Sequence, residues 1–439
     1  MRTNWLIVSL LLLGWLRVDS QNLLSFARTD SVIDRITAFD KGMGSVSVHK
    51  NGVELYRRHY GYSSLETKKP IDDATLFRIG SISKVFTATL IFKQIELGKL
   101  KLSDPLSNWF PLFGNARKIT IRHLLSHQSG IYNFTNDANI LKWNTLPHSR
   151  KELLDRMLRY PNVFMPGDKT EYSNSNYVLL SWILEDVTGK PYAQLLNQYI
   201  LKPVGLKQTF FTTDSLMPLA KSYSMLNTWT KASESHQSIP LGAGAIVSTP
   251  PELNRFIAAL FTGKLLNDST LKTMKTTSGY LALGLMKAPF HERTAWGHTG
   301  SIDSFQAQLF YFQDDSLAVA ITSNAIVYSL NELMIAILSE VYHRPFELPV
   351  FKNALETNVE QLKAYVGVYS ATGLPLKLTI SIKDSLLIGQ GTGQPAFPLI
   401  RTGPHQFSFE QAGIVLEFVP SKKQMLLIQM GNRFLMTKE

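Results

Sequence analysis

Across 439 residues the chain carries 45 Lys and Arg against 34 Asp and Glu, a formal charge of +11, with 44% hydrophobic residues and no cysteine. The length suits two or three domains around a sizeable core. Disulfides, thiolate metal sites and a lipidated cysteine are excluded, and the basic residues form no long Lys/Arg block, which argues against nucleic-acid binding.

The first twenty residues stand apart. Arg2 precedes the apolar run Trp5 to Leu16, and Val18 and Ser20 suit signal-peptidase cleavage before Gln21. The run is short for a membrane span, so the expectation is an exported protein, periplasmic or secreted, with no stable span after cleavage. Removing Arg2, Arg17 and Asp19 takes the charge from +11 to +10.

After the leader, a helix is expected through Ser31 to Phe39. Two strands follow, Ser45–His49 and Val53–His59, joined by Asn51-Gly52, a dipeptide that favours a type I′ hairpin turn. A short apolar-rich run ends at Gly80, and helical spacing begins with Val85, Leu90, Ile91 and Ile95. Ser81 therefore belongs at or just inside the first turn of a helix, and Lys84, three residues on, shares its face. A desolvated amine can lose its charge and take the hydroxyl proton. Free N–H groups of the first turn can meet a developing oxyanion. The S-x-x-K pattern recurs at Ser47–Lys50 and Ser269–Lys272, but the first lies in a strand and the second has no partner motif nearby.

From Ser103 to about Ala232 the pattern is mostly helical, with helices after the Thr120 cap and from Tyr177 to Val187 before Gly189. His123 and His127 are four apart, but their setting points to packing and hydrogen bonding rather than metal. A Pro166-Gly167 turn leads into Tyr172-Ser173-Asn174, where a phenol and an amide can face one cleft. Tyr160-Pro161-Asn162 has the same spacing, and its place at a helix end favours a structural role. Gly297-His298-Thr299-Gly300-Ser301 precedes a strand at Phe305–Phe312. Its glycines let backbone approach a ligand, and His298 could bind a carboxylate or move a proton near neutral pH. A strand Leu317–Ser323 and an amphipathic helix Leu330 to Val341 complete this part. Seven short strands from Leu376 to Met436 then read as a small antiparallel β-barrel or sandwich.

Ser81-Ile82-Ser83-Lys84, Tyr172-Ser173-Asn174 and His298-Thr299-Gly300 resemble the three motifs of the serine β-lactamase and penicillin-binding superfamily. More narrowly they resemble the class C β-lactamase-related group, whose second motif is Y-x-N. Leu124 to Gly130, Pro203 to Leu206, Ala243 to Thr249 and Thr322-Ser323-Asn324 extend the match over roughly residues 30 to 342. The resemblance implies an α/β (α+β) fold: an antiparallel sheet flanked by helices, with a helical subdomain as the other wall of a cleft. It implies Ser81 as nucleophile, and Lys84 with Tyr172 as general base for acylation and for the deacylating water. It further implies Asn174 on a substrate amide, His298, Thr299 and Gly300 along the substrate edge, and the N–H groups of Ser81 and Ser301 as oxyanion hole. Histidine at 298, where class C β-lactamases have lysine, resembles the carboxypeptidase, D-aminopeptidase and esterase branches. Ser301 and Ser304 stand where many relatives have glycine.

The expected layout is a leader at 1–20, a catalytic domain at 21–345, a linker at 346–360 and a β domain at 361–439. The expected activity is an acyl-enzyme hydrolase acting on a peptide or amide, with D-amino-acid-containing ones among the candidates, or on a small ester. A β-lactamase and a non-catalytic binding or sensor protein are the alternatives. The expected partner is a small-molecule or peptide substrate, with the cell wall as one source. No cofactor, metal or nucleic acid is called for.

Overall fold

The computed structural model describes residues 24–439, apart from 212–216, 226–227, 352–354, 356, 372–373, 395, 410–411 and 430–431. The leader expected at 1–20 lies outside the described residues. Helix α1 (Ala27–Ala38) starts four residues earlier than its apolar spacing suggests. The reason is tertiary: the Glu340 carboxylate accepts from Thr29 N at 2.7 Å and Thr29 Oγ1 at 2.6 Å. Strands β1 (Gly42–Lys50) and β2 (Val53–Tyr60) form the expected hairpin. Asn51 and Gly52 take φ of 53° and 77°, as a type I′ turn requires.

Helix α2 (Ser83–Glu96) is buried along almost its whole length, and Phe86 stacks on Phe256 at 3.6 Å. Helix α3 (Ile121–Leu125) is capped by Thr120, with His123 returning the bond to the cap backbone. Helix α4 (Asn174–Thr188) starts three residues before the expected Tyr177 and stops at Gly189, which takes φ 66°. The stretch from 103 to 232 is less helical than expected: it holds long turns and a small hairpin, Tyr223–Met225 with Trp229–Lys231. Helix α5 (Pro250–Phe261) follows, and then strands β3 (Met286–Phe290), β4 (Arg293–Ile302), β5 (Phe305–Phe312) and β6 (Leu317–Ile326), and helix α6 (Leu330–Val341).

These strands make one antiparallel sheet in the order β2-β1-β6-β5-β4-β3. Its two faces are both apolar. Helices α1 and α6 cover one, around Val46, Val48, Val319 and Ile321. Helices α2, α4 and α5 belong to the core of the other, around Leu309, Tyr311, Ala318 and Ala320. Period-two alternation thus serves two cores at once.

From residue 367 the chain forms a closed eight-stranded antiparallel barrel, β7 (Gly367–Ala371), β8 (Leu374–Lys383), β9 (Leu386–Gly391), β10 (Phe397–Arg401), β11 (Gln406–Phe409), β12 (Ile414–Val419), β13 (Gln424–Gln429) and β14 (Asn432–Lys438). Tyr369 opposite Lys438 and Ser370 opposite Thr437 join the first strand to the last. Closure needs one strand more than the seven expected, and β7 is that strand. Among the described residues no helix is long and apolar enough to cross a membrane, and no group of three or more His, Cys, Asp or Glu could hold a metal.

Candidate active site

Ser81 lies in a single 3-10 turn, Gly80–Ile82, that runs directly into α2. That turn sits against β4. Gly80 has φ 51°, and a Cβ there would stand 2.8 Å from Ser301 N; a Cβ on Gly300 would stand 2.0 Å from Ile79 O. Only glycines let the two backbones come this close, and the contact brings Ser301 N alongside Gly80 and Ser81. The His298–Ser301 motif is inside β4 rather than ahead of a strand. Beyond Gly297, β4 pairs only with β5, so the edge from His298 to Ile302 is left open by β3.

Lys84 is fully buried. Its Nζ lies 2.9 Å from Ser81 Oγ, 2.8 Å from Asn174 Oδ1 and 2.8 Å from Ala243 O. Asn174 Nδ2 donates to Thr135 Oγ1 at 3.0 Å, which leaves Oδ1 to face the amine. Burial pushes the Lys84 amine well below its usual basicity. A neutral amine has two N–H donors and one lone pair. The two carbonyl oxygens take the donors, and the lone pair is left for the Ser81 hydroxyl proton.

Tyr172 is within hydrogen-bonding reach of Ser81, and burial holds its phenol protonated well above the usual range. Its ring lies under Lys84 Nζ, 4.9 Å from the centroid. On its other contacts it stacks on His127 at 4.3 Å and tilts against His298 at 6.2 Å. His298 is 2% exposed, and its Nδ1 donates to the Thr299 carbonyl. Burial, with the Lys84 charge as a lesser cause, pushes its pKa down to about 3. At position 298 the structure therefore places a neutral imidazole behind Tyr172, and a carboxylate meets no cation there. Thr299 Oγ1 points toward Met286 Sδ at 3.7 Å.

Next to Ser81 is a pocket of about 230 Å³. Ile140, Ile239, Pro240, Ala243 and Ile302 give it apolar walls, while Thr135, Asn174, Ser235 and Ser301 supply polar groups. None of the described residues lining it carries a formal charge. Of the residues expected at the site, Ser81, Lys84, Tyr172 and Asn174 meet around one amine, and Gly300 and Ser301 close on Ser81 through the backbone. His123 caps α3, and His127 stacks on Tyr172. Sequence reasoning did not assign the Ala243 carbonyl or Thr135; a backbone oxygen has no residue signature, and Thr135 sits in no motif.

The neutral histidine makes a pH-dependent prediction. The unfolded chain protonates His298 near pH 6.5, and the folded chain does so only near 3. Between those values the unfolded state binds the extra proton, so stability falls as pH drops below 6.5, by about 1.4 kcal/mol per pH unit for each such histidine. Buried His127, shifted in the same direction, adds to this. In urea titrations at pH 6.5 and 5, His298→Gln should lose about 2 kcal/mol less than the parent chain over that interval. Equal losses in the two proteins would refute the neutral assignment.

A family model described as Beta-lactamase matches residues 34–328. The teichoic acid D-alanine hydrolase of Staphylococcus aureus (strain MRSA252) is 29% identical over 238 residues, which is 53% of this chain and 58% of that one. The chain spans 38% to 62% of the length of the first curated relatives it matches. Among solved structures, the D-amino acid amidase from Ochrobactrum anthropi SV3, complexed with L-phenylalanine amide, superposes with a TM-score of 0.65 at 25% identity, covering 72% of this chain and 98% of that one. A D-stereospecific amidohydrolase from Streptomyces sp. gives 0.63 at 29% identity, covering 73% and 100%. The octameric penicillin-binding protein homologue from Pyrococcus abyssi gives 0.66 at 21% identity over 94% of this chain and 100% of that one, a likeness of fold that extends through the barrel.

Proposed function

This chain belongs to the Beta-lactamase family, and from that premise we propose that it is an exported serine hydrolase working through an acyl-enzyme on Ser81. The observation that carries the reading is the set of partners around Lys84 Nζ: two carbonyl oxygens that fix its N–H groups and the Ser81 hydroxyl that faces its lone pair. Lys84 takes the hydroxyl proton as Ser81 Oγ bonds to the substrate carbonyl carbon. The N–H groups of Ser81 and Ser301 stabilise the oxyanion. Tyr172, kept protonated by burial, donates its proton to the departing amine or alcohol and is reprotonated from the Lys84 ammonium. Water then enters, gives up a proton along the same route, and releases a carboxylic acid and free Ser81.

The uncharged pocket and the neutral His298 support an amide or small ester whose acyl group carries no carboxylate. The amidase and D-alanine hydrolase relatives support an amide or ester of a D-amino acid within that class. A β-lactam carboxylate finds no cation at position 298, so slow acylation without fast turnover is the expected response to a cephalosporin. The apolar opening Trp5 to Leu16 supports export to the periplasm or beyond.

The test is intact-mass analysis after exposure to a fluorophosphonate. The expected result is one adduct on Ser81 and none on Ser81→Ala, with unchanged circular dichroism. Hydrolysis or labelling that survives in Ser81→Ala would overturn the reading.

A further inference from the structure

We propose that His127 is a positioning residue that clamps Tyr172 for acyl transfer at Ser81; this rests on the serine-hydrolase reading above. His127 is 2% exposed and has φ 57°, a conformation that residues with a side chain adopt only at a cost. That geometry lets one residue hold three points around Tyr172. The His127 carbonyl accepts from Glu171 N at 2.9 Å, on one side of the tyrosine. Its Nδ1 accepts from Ser173 N at 3.1 Å, on the other side. Its ring stacks on the phenol ring, 4.3 Å between centroids and 24° between planes.

The Ser173 bond requires a lone pair on Nδ1, hence a neutral imidazole with its proton on Nε2. Burial keeps it neutral. Tyr177 is the other titratable ring in contact, at 5.2 Å. Backbone on both flanks and the ring face are thus fixed by one side chain and its own carbonyl, so the phenol has no freedom to swing from Ser81. His127 is not among the residues that line the pocket beside Ser81.

The test compares two neutral substitutions. An Asn amide oxygen reproduces the position of Nδ1 and tolerates positive φ; a Gln amide lies one bond too far. Ser81 labelling by a fluorophosphonate should slow about 100-fold in His127→Gln and within about fivefold in His127→Asn. Tyr172→Phe should slow labelling to a similar degree as His127→Gln. In the Tyr172→Phe background, His127→Gln should then add almost nothing, since the lost group is already absent. Equal losses from Asn and Gln, or losses that multiply in the double variant, would overturn the clamp and leave the serine chemistry standing. Should His127→Gln fail to fold, His127→Phe, which keeps a ring and lacks the acceptor, replaces it in the cycle. A parent protein that takes no label on Ser81 would overturn both proposals.

Discussion

Replacing Lys84 with methionine should cut fluorophosphonate labelling of Ser81 by about 10³-fold or more, at the upper part of the range for loss of a positioned base. Methionine matches the length and apolar stem, so the change isolates the amine. It relieves the burial of a basic group and leaves Asn174 Oδ1 and Ala243 O without their donor. Each orphaned acceptor costs about 1–3 kcal/mol, offset in part by packing a thioether in place of an amine. The protein should stay folded at room temperature while the serine falls silent. The pH profile carries the second half of the prediction. In the parent chain, labelling should rise as Lys84 loses its proton and reach a plateau well below pH 10.5, because burial lowers its pKa. The methionine variant should have a flat profile over that range. Labelling of Lys84→Met at the parent rate would remove Lys84 from the chemistry.

The largest loss of stability should come from Asp303→Asn. Arg78 and Asp303 side chains are 6% and 4% exposed and lie 2.5 Å apart. Asp303 Oδ1 also accepts from Ser235 N at 3.0 Å and Oγ at 2.6 Å, while Arg78 donates to Ser235 O at 2.9 Å. Asparagine keeps the φ of 54° that this turn needs, and it keeps an acceptor for Ser235. What it removes is the countercharge, leaving a guanidinium buried and unpaired. Such an orphan costs about 3–5 kcal/mol. Adding Arg78→Met should restore most of that, because the penalty belongs to the stranded charge and not to the lost pair. Urea midpoints at constant slope check both steps. A single-variant loss under about 1 kcal/mol would show that water reaches Arg78.

The residues around Lys84 were legible where chemistry sits on neighbouring side chains. Ser81 and Lys84 are one helical turn apart, and Tyr172 with Asn174 follows a Pro-Gly turn, so both pairs leave a mark in the chain. The hairpin at Asn51-Gly52 and the helix at Leu330–Val341 were legible for the same local reason. Strand β4 was not. Its run Arg293–Ile302 lacks alternating apolar residues because two of its positions are glycines pressed against backbone, at Leu309 O and Ile79 O. Close backbone packing there displaced the periodicity that announces a strand. Strand β7 escaped for another reason: five residues with one buried, Tyr369, carry too little pattern, and its existence is fixed by barrel closure. The Ala243 carbonyl and the role of His127 depend on how distant segments meet, which no spacing encodes.

Glu340, which accepts from the backbone of Thr29, also accepts from Arg28 N, and the Arg28 guanidinium reaches the carbonyl of Phe346. The way into the catalytic fold and the way out of it are therefore stitched together on the α1–α6 face of the sheet. Ser81 stands on the opposite side, half-buried just ahead of α2, where it lines the pocket. The segments that tie the two ends of this fold thus meet on the face away from the pocket, and none of the residues they use lines it.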